Sequence, residues 1–204
     1  MVRKTKAEAE QTRLHIIAAA RRVFRERGVS RTSLEKVAEA AGVTRGAVYW
    51  HFADKAALFF AMRDSSLVAI QQADLLLVSP DIRDPLDAIE QSLLFFFETL
   101  RSNAEVQETF EIMSLRCEYV DEFASVLQEI NQPCLDFLGK LKAAYQRARE
   151  LGTLRAGLDP EAMARDSVSF TTGVFHTWLS SLPGDELREN VTGMIQAHIA
   201  LRRA

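Results

Sequence analysis

At 204 residues, with 48% apolar and 26% charged side chains, the chain has the composition of a globular protein of one or two small domains. Its formal net charge of -3 speaks against a nucleic-acid binder, but the charge is segregated: residues 1–63 hold 13 Lys/Arg against 6 Asp/Glu, and residues 64–204 hold 12 against 22. A basic first third on an acidic body is the asymmetry of a protein that meets phosphate at one end. The basic start Met1-Val2-Arg3-Lys4 is followed by Ala7-Glu8-Ala9-Glu10, not by the apolar core of a signal peptide. The longest strongly apolar run, Leu93 to Phe97, is far too short to span a bilayer, so the expectation is a cytoplasmic protein with no membrane partner.

In chain order, residues 1–8 read as a basic arm that could lie along phosphates, or as an untethered terminus. A first helix is expected from about Glu8 to Arg27, with Ile17, Ala20 and Phe24 inward and Gly28 as its stop. The next stretch, residues 32–55, reads as a helix-turn-helix. Thr32 and Glu35 have capping-box spacing. Leu34, Val37, Ala38 and Ala41 make one apolar face, and Gly42 follows the last of them. Thr44 can cap a second, short helix whose inner side is only Ala47 and Val48, leaving Arg45, Tyr49 and Trp50 to project elsewhere. A short helix on a small core, offering donors outward, fits the major groove of DNA.

The run Gly42-Val43-Thr44-Arg45-Gly46-Ala47-Val48-Tyr49-Trp50-His51-Phe52, followed by Lys55, resembles the DNA-binding segment of tetracycline-repressor (TetR) family regulators, most of all their multidrug-efflux-repressor branch. The resemblance implies an all-α fold: a three-helix N-terminal DNA-binding domain (residues 1–54) and a C-terminal helical domain for ligand binding and dimerisation (residues 55–204). It also implies a homodimer on an inverted-repeat operator and a hydrophobic small-molecule effector. Thr32, Ser33, Thr44, Arg45, Gly46, Tyr49, Trp50, His51 and Lys55 are the candidate DNA contacts. Arg45 is placed to read a base, and His51 falls where the family pattern puts a phosphate contact. Most of the others would hold phosphates or pack the helix against the backbone, and Trp50 could equally be a packing residue.

Asp54 should cap a fourth helix running to about Asp74, with Lys55 at a phosphate-facing start and Leu58, Met62, Leu67 and Ile70 along it. Such a helix could act as a lever between DNA and the second domain. After a loop at 78–84, Asp84-Pro85 starts a helix carrying Leu93, Leu94, Phe95, Phe96, Phe97 and Leu100. Helices are expected at about 104–118, at 121–151 with a kink or split at Pro133, at 160–182 and at 185–202. Leu67, Ile70, Leu93, Phe96, Phe110, Met113, Cys134, Phe137, Val168, Thr172 and His176 form a candidate effector site, or else a filled core. Phe175, Trp178, Leu187, Val191, Met194, Ile195 and His198 give the last two helices more apolar surface than one packed face needs, the excess expected of a dimer interface.

Cys117 and Cys134 have no metal-ligand or redox spacing and are expected to be buried free thiols, with an intramolecular disulfide or a redox sensor as the alternative. The four histidines have no metal spacing, and no phosphate-cradling glycine loop or nucleophile motif is present, so neither an enzyme nor a cofactor or metal site is expected. A helical small-molecule enzyme or carrier, and a DNA binder without an effector, stay open as alternatives to a ligand-responsive repressor.

Overall fold

The computed structural model describes residues 5–204, apart from the side chain of Glu122. Ten α-helices run through them: α1 (Lys6–Arg27), α2 (Leu34–Ala40), α3 (Arg45–His51), α4 (Lys55–Leu77), α5 (Pro85–Ser102), α6 (Ala104–Leu115), α7 (Val126–Glu150), α8 (Pro160–Ser180), α9 (Glu186–Glu189) and α10 (Val191–Ala200). A 3-10 turn, Asp121–Phe123, precedes α7. There is no strand among the described residues. The first four residues of the expected basic arm lie outside the described residues.

Local chemistry explains where the helices begin. Thr5 and Glu8 form a complete capping box, so α1 starts two residues earlier than its apolar stripe suggests. The box expected at Thr32 and Glu35 does not form. Ser33 caps α2 by accepting from the Lys36 N–H, while Thr32 is buried and donates its hydroxyl to the Gly28 carbonyl at 2.8 Å. Asp84 and Asp159 cap α5 and α8 ahead of their N1 prolines, as the sequence predicts. In the second half one expectation is narrowed and one fails. Pro133 lies inside one helix, α7, and does not split it, because losing a single N–H leaves the rest of a 25-residue ladder in place. The expected helix at 185–202 is broken at Asn190 into α9 and α10. Asn190 folds its side chain over the first turn of α10. A Cβ at Gly193 would come within 2.5 Å of its Oδ1.

The chain forms two compact units: residues up to Val68 with Ala104–Leu127, and Ala69–Asn103 with Gln128–Ala204. The division falls inside α4, and α6 belongs to the first unit.

In the first unit Ile16, Ile17, Ala20 and Phe24 of α1 pack with Val37, Val48, Phe52, Leu58, Phe59 and Met62 in the buried core. The Phe59 ring meets Phe24 at 6.4 Å and Phe123 edge-on at 5.3 Å. Between α1 and α6, Arg25 reaches Glu108 at 2.7 Å and Glu111 at 3.2 Å, and the buried Arg21 reaches Glu105 at 3.3 Å. The Val29 N–H donates to the Arg116 carbonyl at 2.9 Å, and the buried Ser66 hydroxyl donates to Thr109 at 2.8 Å.

In the second unit Leu86, Ile89, Leu93 and Leu100 of α5, Leu141 and Tyr145 of α7, and Ile195 and Ile199 of α10 supply the core. A buried polar chain crosses it: Tyr145 hydroxyl to Ser167 hydroxyl at 2.7 Å, and Ser167 to His198 Nε2 at 2.9 Å. Arg203 ties the C-terminus to the start of α5 through Asp84, Asp87 and Glu90, at 2.9, 2.6 and 3.2 Å.

Candidate functional site

The turn between α2 and α3 is built from hydrogen bonds that need a left-handed residue at its centre. The Val43 N–H donates to the Ala38 carbonyl and the Gly42 N–H to the Glu39 carbonyl, both at 3.0 Å, and Gly42 has φ +62°. Thr44 then caps α3, its hydroxyl accepting from the Ala47 N–H at 3.2 Å. Val48 is fully buried and Ala47 half-buried, so α3 is pinned along one edge only. Arg45, Gly46, Tyr49 and Trp50 are exposed, Trp50 to 72%. That exposure removes Trp50 from the core. Its ring meets the edge of the half-buried His51, at 4.5 Å.

One acidic side chain joins this surface. Glu35, on α2, forms an ion pair with Arg45, its Oε1 3.0 Å from Arg45 Nε, and accepts from the Tyr49 hydroxyl at 3.5 Å, while the Arg45 guanidinium lies 5.2 Å from the Tyr49 ring centre. Backbone and Ser33 hydrogen bonds, with Arg45 nearby, hold the Glu35 carboxyl below the usual range, so it is ionised at neutral pH. Sequence reading assigned Glu35 to a cap. The signal it offered was only an acidic residue inside a basic motif, and no periodicity tells that position 35 faces position 45 across the turn.

Thr32 and Lys55 take different places from those expected. Thr32 is 3% exposed and its hydroxyl is bonded within the unit, so its side chain is not offered to solvent. Lys55 is half-buried, donates to the Val29 carbonyl at 3.2 Å and lies 5.4 Å from the centre of the Phe123 ring. Ser33 is exposed and is occupied in capping α2.

The candidate effector residues divide between the units. In the first, Met113 is buried, and Leu67 and Phe110 are half-buried. In the second, Leu93 is buried, while Ile70, Phe96, Phe137 and Val168 are half-buried. Phe96 stands 5.3 Å from Phe97 and 5.7 Å from Phe175, an aromatic cluster between α5 and α8. Cys134, Thr172 and His176 are exposed, which corrects the expectation of a buried Cys134 thiol and of polar groups set into an apolar wall. Position 134 lies on the same helical face as Leu141 and Ala148, but that face is uncovered in the first half of α7, where Leu127 is exposed as well. Burial pushes the half-buried Cys117 thiol up to about 11, which keeps it protonated and unreactive.

The proposed dimer residues also need correcting. Trp178, Val191, Ile195 and His198 are between 0% and 8% exposed within a single chain, so they belong to the protomer's own core. Excess hydrophobicity on a helical hairpin cannot distinguish a partner helix of the same chain from that of a second one. What remains outward is an open groove of about 330 Å³ lined by Ser169, Phe170, Gly173, Val174, Thr177, Leu187 and Met194. Leu187 and Met194 were expected there, and Phe170 and Val174 were not. Behind the groove Phe170 stacks on the His198 ring at 3.9 Å. Burial, followed by the nearby Arg202, drives His198 down to about 4, against a smaller opposing effect of Asp166.

Residues 16–62 match the family described as bacterial regulatory proteins, tetR family, and residues 84–203 match the C-terminal region of MAATS-type transcriptional repressors. The chain is 38% identical over 179 residues to the HTH-type transcriptional regulator TtgR of Pseudomonas putida, covering 88% of this chain and 85% of the relative. It superimposes with a TM-score of 0.84 on NalD, the secondary repressor of the MexAB-OprM multidrug efflux pump in Pseudomonas aeruginosa, at 29% identity over 98% of both chains. It also superimposes at 0.82, with 29% identity over 95% of this chain and 92% of the other, on the triclosan complex of SmeT, the repressor of a Stenotrophomonas maltophilia multidrug efflux pump.

Proposed function

The chain belongs to the tetR family of bacterial regulatory proteins, and from that premise we propose that it is a dimeric repressor of a multidrug efflux operon, released from its operator by hydrophobic small molecules. The observation that carries this reading is the outer surface of α3. Arg45, Tyr49 and Trp50 are presented to solvent on a helix fixed by Val48 and capped by Thr44. Large polar-tipped and cationic side chains held outward on a short, anchored helix serve a partner rich in acceptors and negative charge, and double-stranded DNA is that partner.

DNA reading resides in residues 1–54, and effector binding and dimerisation in residues 55–204. A second copy covers the groove between Phe170, Leu187 and Met194, making a twofold dimer for an inverted repeat. Equivalent contacts on the two half-sites are spaced by a helical turn, ~34 Å, or a multiple of it. The effector contacts are aromatic and aliphatic side chains of the second unit, Phe96, Phe137, Val168 and Phe175, of which Phe96 and Phe175 already stand ring against ring. Because α4 is a single helix from Lys55 to Leu77, a ligand that displaces its C-terminal half is felt at its start. A preference of ~1–3 kcal/mol for the non-binding state weakens operator affinity several-fold to a hundredfold. The protein carries out this work in the cytoplasm, as a regulator and not an enzyme.

The test is a gel shift on the DNA upstream of the protein's own coding sequence, with and without triclosan and a panel of other hydrophobic compounds. Binding that falls with salt and with at least one compound is expected. Salt-sensitive binding that no compound alters would remove the effector from the reading, and no binding at all would remove the operator. Phe137→Ala, if well folded, should blunt the response to the active compound while leaving ligand-free operator affinity unchanged.

A further inference from the structure

We propose that Glu35 is a positioning residue for base reading: its carboxylate grips the Nε edge of Arg45 across the helix-turn-helix and leaves the two terminal nitrogens of the guanidinium to meet a guanine. The proposal rests on the DNA-binding reading above and adds to it a specificity determinant on α2, outside the recognition helix.

Three contacts define the arrangement. Arg45 Nε is 3.0 Å from Glu35 Oε1, the Tyr49 hydroxyl donates to the same oxygen at 3.5 Å, and the guanidinium sits 5.2 Å from the centre of the Tyr49 ring. The guanidinium is thus held at one edge by the carboxylate and over one face by the phenol. Arginine carries five N–H donors in a planar fork. The ion pair sits at the Nε edge, so the four donors on the terminal nitrogens point away from it, and two parallel bonds from them match guanine O6 and N7. The Arg45 and Glu35 side chains are 68% and 46% exposed, so the pair adds little to folding stability. Its consequence is conformational. A free arginine loses much rotamer freedom on binding, and a side chain already held in the reading geometry loses less.

A carboxylate on a DNA-facing surface would otherwise be a liability, since it repels every phosphate backbone alike. The two roles therefore separate cleanly. Repulsion acts on all sequences equally, whereas positioning acts at the one base pair that Arg45 reads.

The experiment uses the full-length protein. Wild type first selects its preferred duplex from a randomised library, and the base pair whose preference disappears in Arg45→Ala is identified from single-pair variants. Glu35→Ala should then lower the preference at that pair by about fivefold or more, leave the other positions unchanged, and raise affinity for random-sequence duplex. Glu35→Gln, which keeps the size of the side chain but removes the charge of the ion pair, should lower the preference at that pair as well. In the Arg45→Ala background, Glu35→Ala should have no further effect at that pair. The proposal is overturned if Glu35→Ala changes affinity for all duplexes alike with the preference intact. It is equally overturned if Glu35→Ala alters the preference without Arg45, since Glu35 would then be reading the base itself. An Arg45→Ala variant with unaltered preferences, or a wild type that selects no sequence, overturns the DNA-reading assignment and Glu35 with it. Failures confined to the Glu35 variants overturn the role of Glu35 alone.

Discussion

Lys55 and His198 show how far a residue's neighbours decide its chemistry. The Lys55 ammonium is turned onto the Val29 carbonyl and toward the Phe123 ring. Lys55→Met keeps the stem but removes the donor, so it should lower unfolding free energy by about 1–2 kcal/mol in denaturant titration. It should leave the salt slope of DNA binding unchanged, and a slope smaller by about one unit would instead mean that Lys55 meets a phosphate. His198 is buried between Ser167 and the Phe170 ring, and its pKa is depressed to about 4. In the unfolded chain it returns to ~6.5. The unfolded state therefore binds more protons between these values, so the stability gained from the neutral imidazole is complete above about pH 6.5. It is lost progressively as pH falls from there toward 4. His198→Gln can still bond Ser167 and does not titrate, so its unfolding free energy should fall less steeply between pH 7 and pH 5 than that of wild type. Equal slopes would show that His198 is not the group responsible.

At the scale of elements, α4 and α6 of the first unit are joined by the buried Ser66–Thr109 hydroxyl pair, with Thr109 donating onward to the Glu105 carbonyl at 2.8 Å. Removing one partner leaves a buried hydroxyl unpaired. Thr109→Val should therefore cost about 1–3 kcal/mol, while Ser66→Ala with Thr109→Val should recover most of that loss. Thermal or denaturant unfolding of the four proteins in the cycle measures the coupling. The ion pairs between α1 and α6 offer no comparable handle. Arg25 is half-exposed and Glu105 largely exposed, and such pairs add little each. The apolar stripes of α1 and α2 were legible in the sequence because periodicity reports burial directly. The start of α2 was not, because Thr32 and Ser33 are both competent caps and only the α1–α2 loop decides which hydroxyl turns inward.

For the whole molecule, the question is which surface of α8–α10 stays open. Leu187 is 52% exposed and Met194 lines the same groove. Leu187→Asp with Met194→Asp should yield a folded protein that sediments as a monomer and has lost operator binding, because charges are placed in the dimer contact without disturbing the protomer. Ile195→Asp, at a position with no exposure, should unfold the second unit instead. A folded Leu187→Asp, Met194→Asp variant that remains a dimer would move the interface to another face.

The sequence alone determined the all-helical class, the helix starts at Thr44, Asp84 and Asp159, the helix-turn-helix and the outward pair Arg45 and Tyr49. These follow from local rules: 3.6-residue periodicity, side-chain oxygens reaching the second or third N–H, and glycine at positive φ. Four things were decided only by the tertiary structure. Glu35 meets Arg45, Thr32 and Lys55 turn inward, Cys134, Thr172 and His176 are left exposed, and Trp178, Val191, Ile195 and His198 belong to the protomer's own core. Each depends on which helices pack together across long stretches of chain. An apolar or polar stripe records that a face has a partner, but it carries no record of which partner that is.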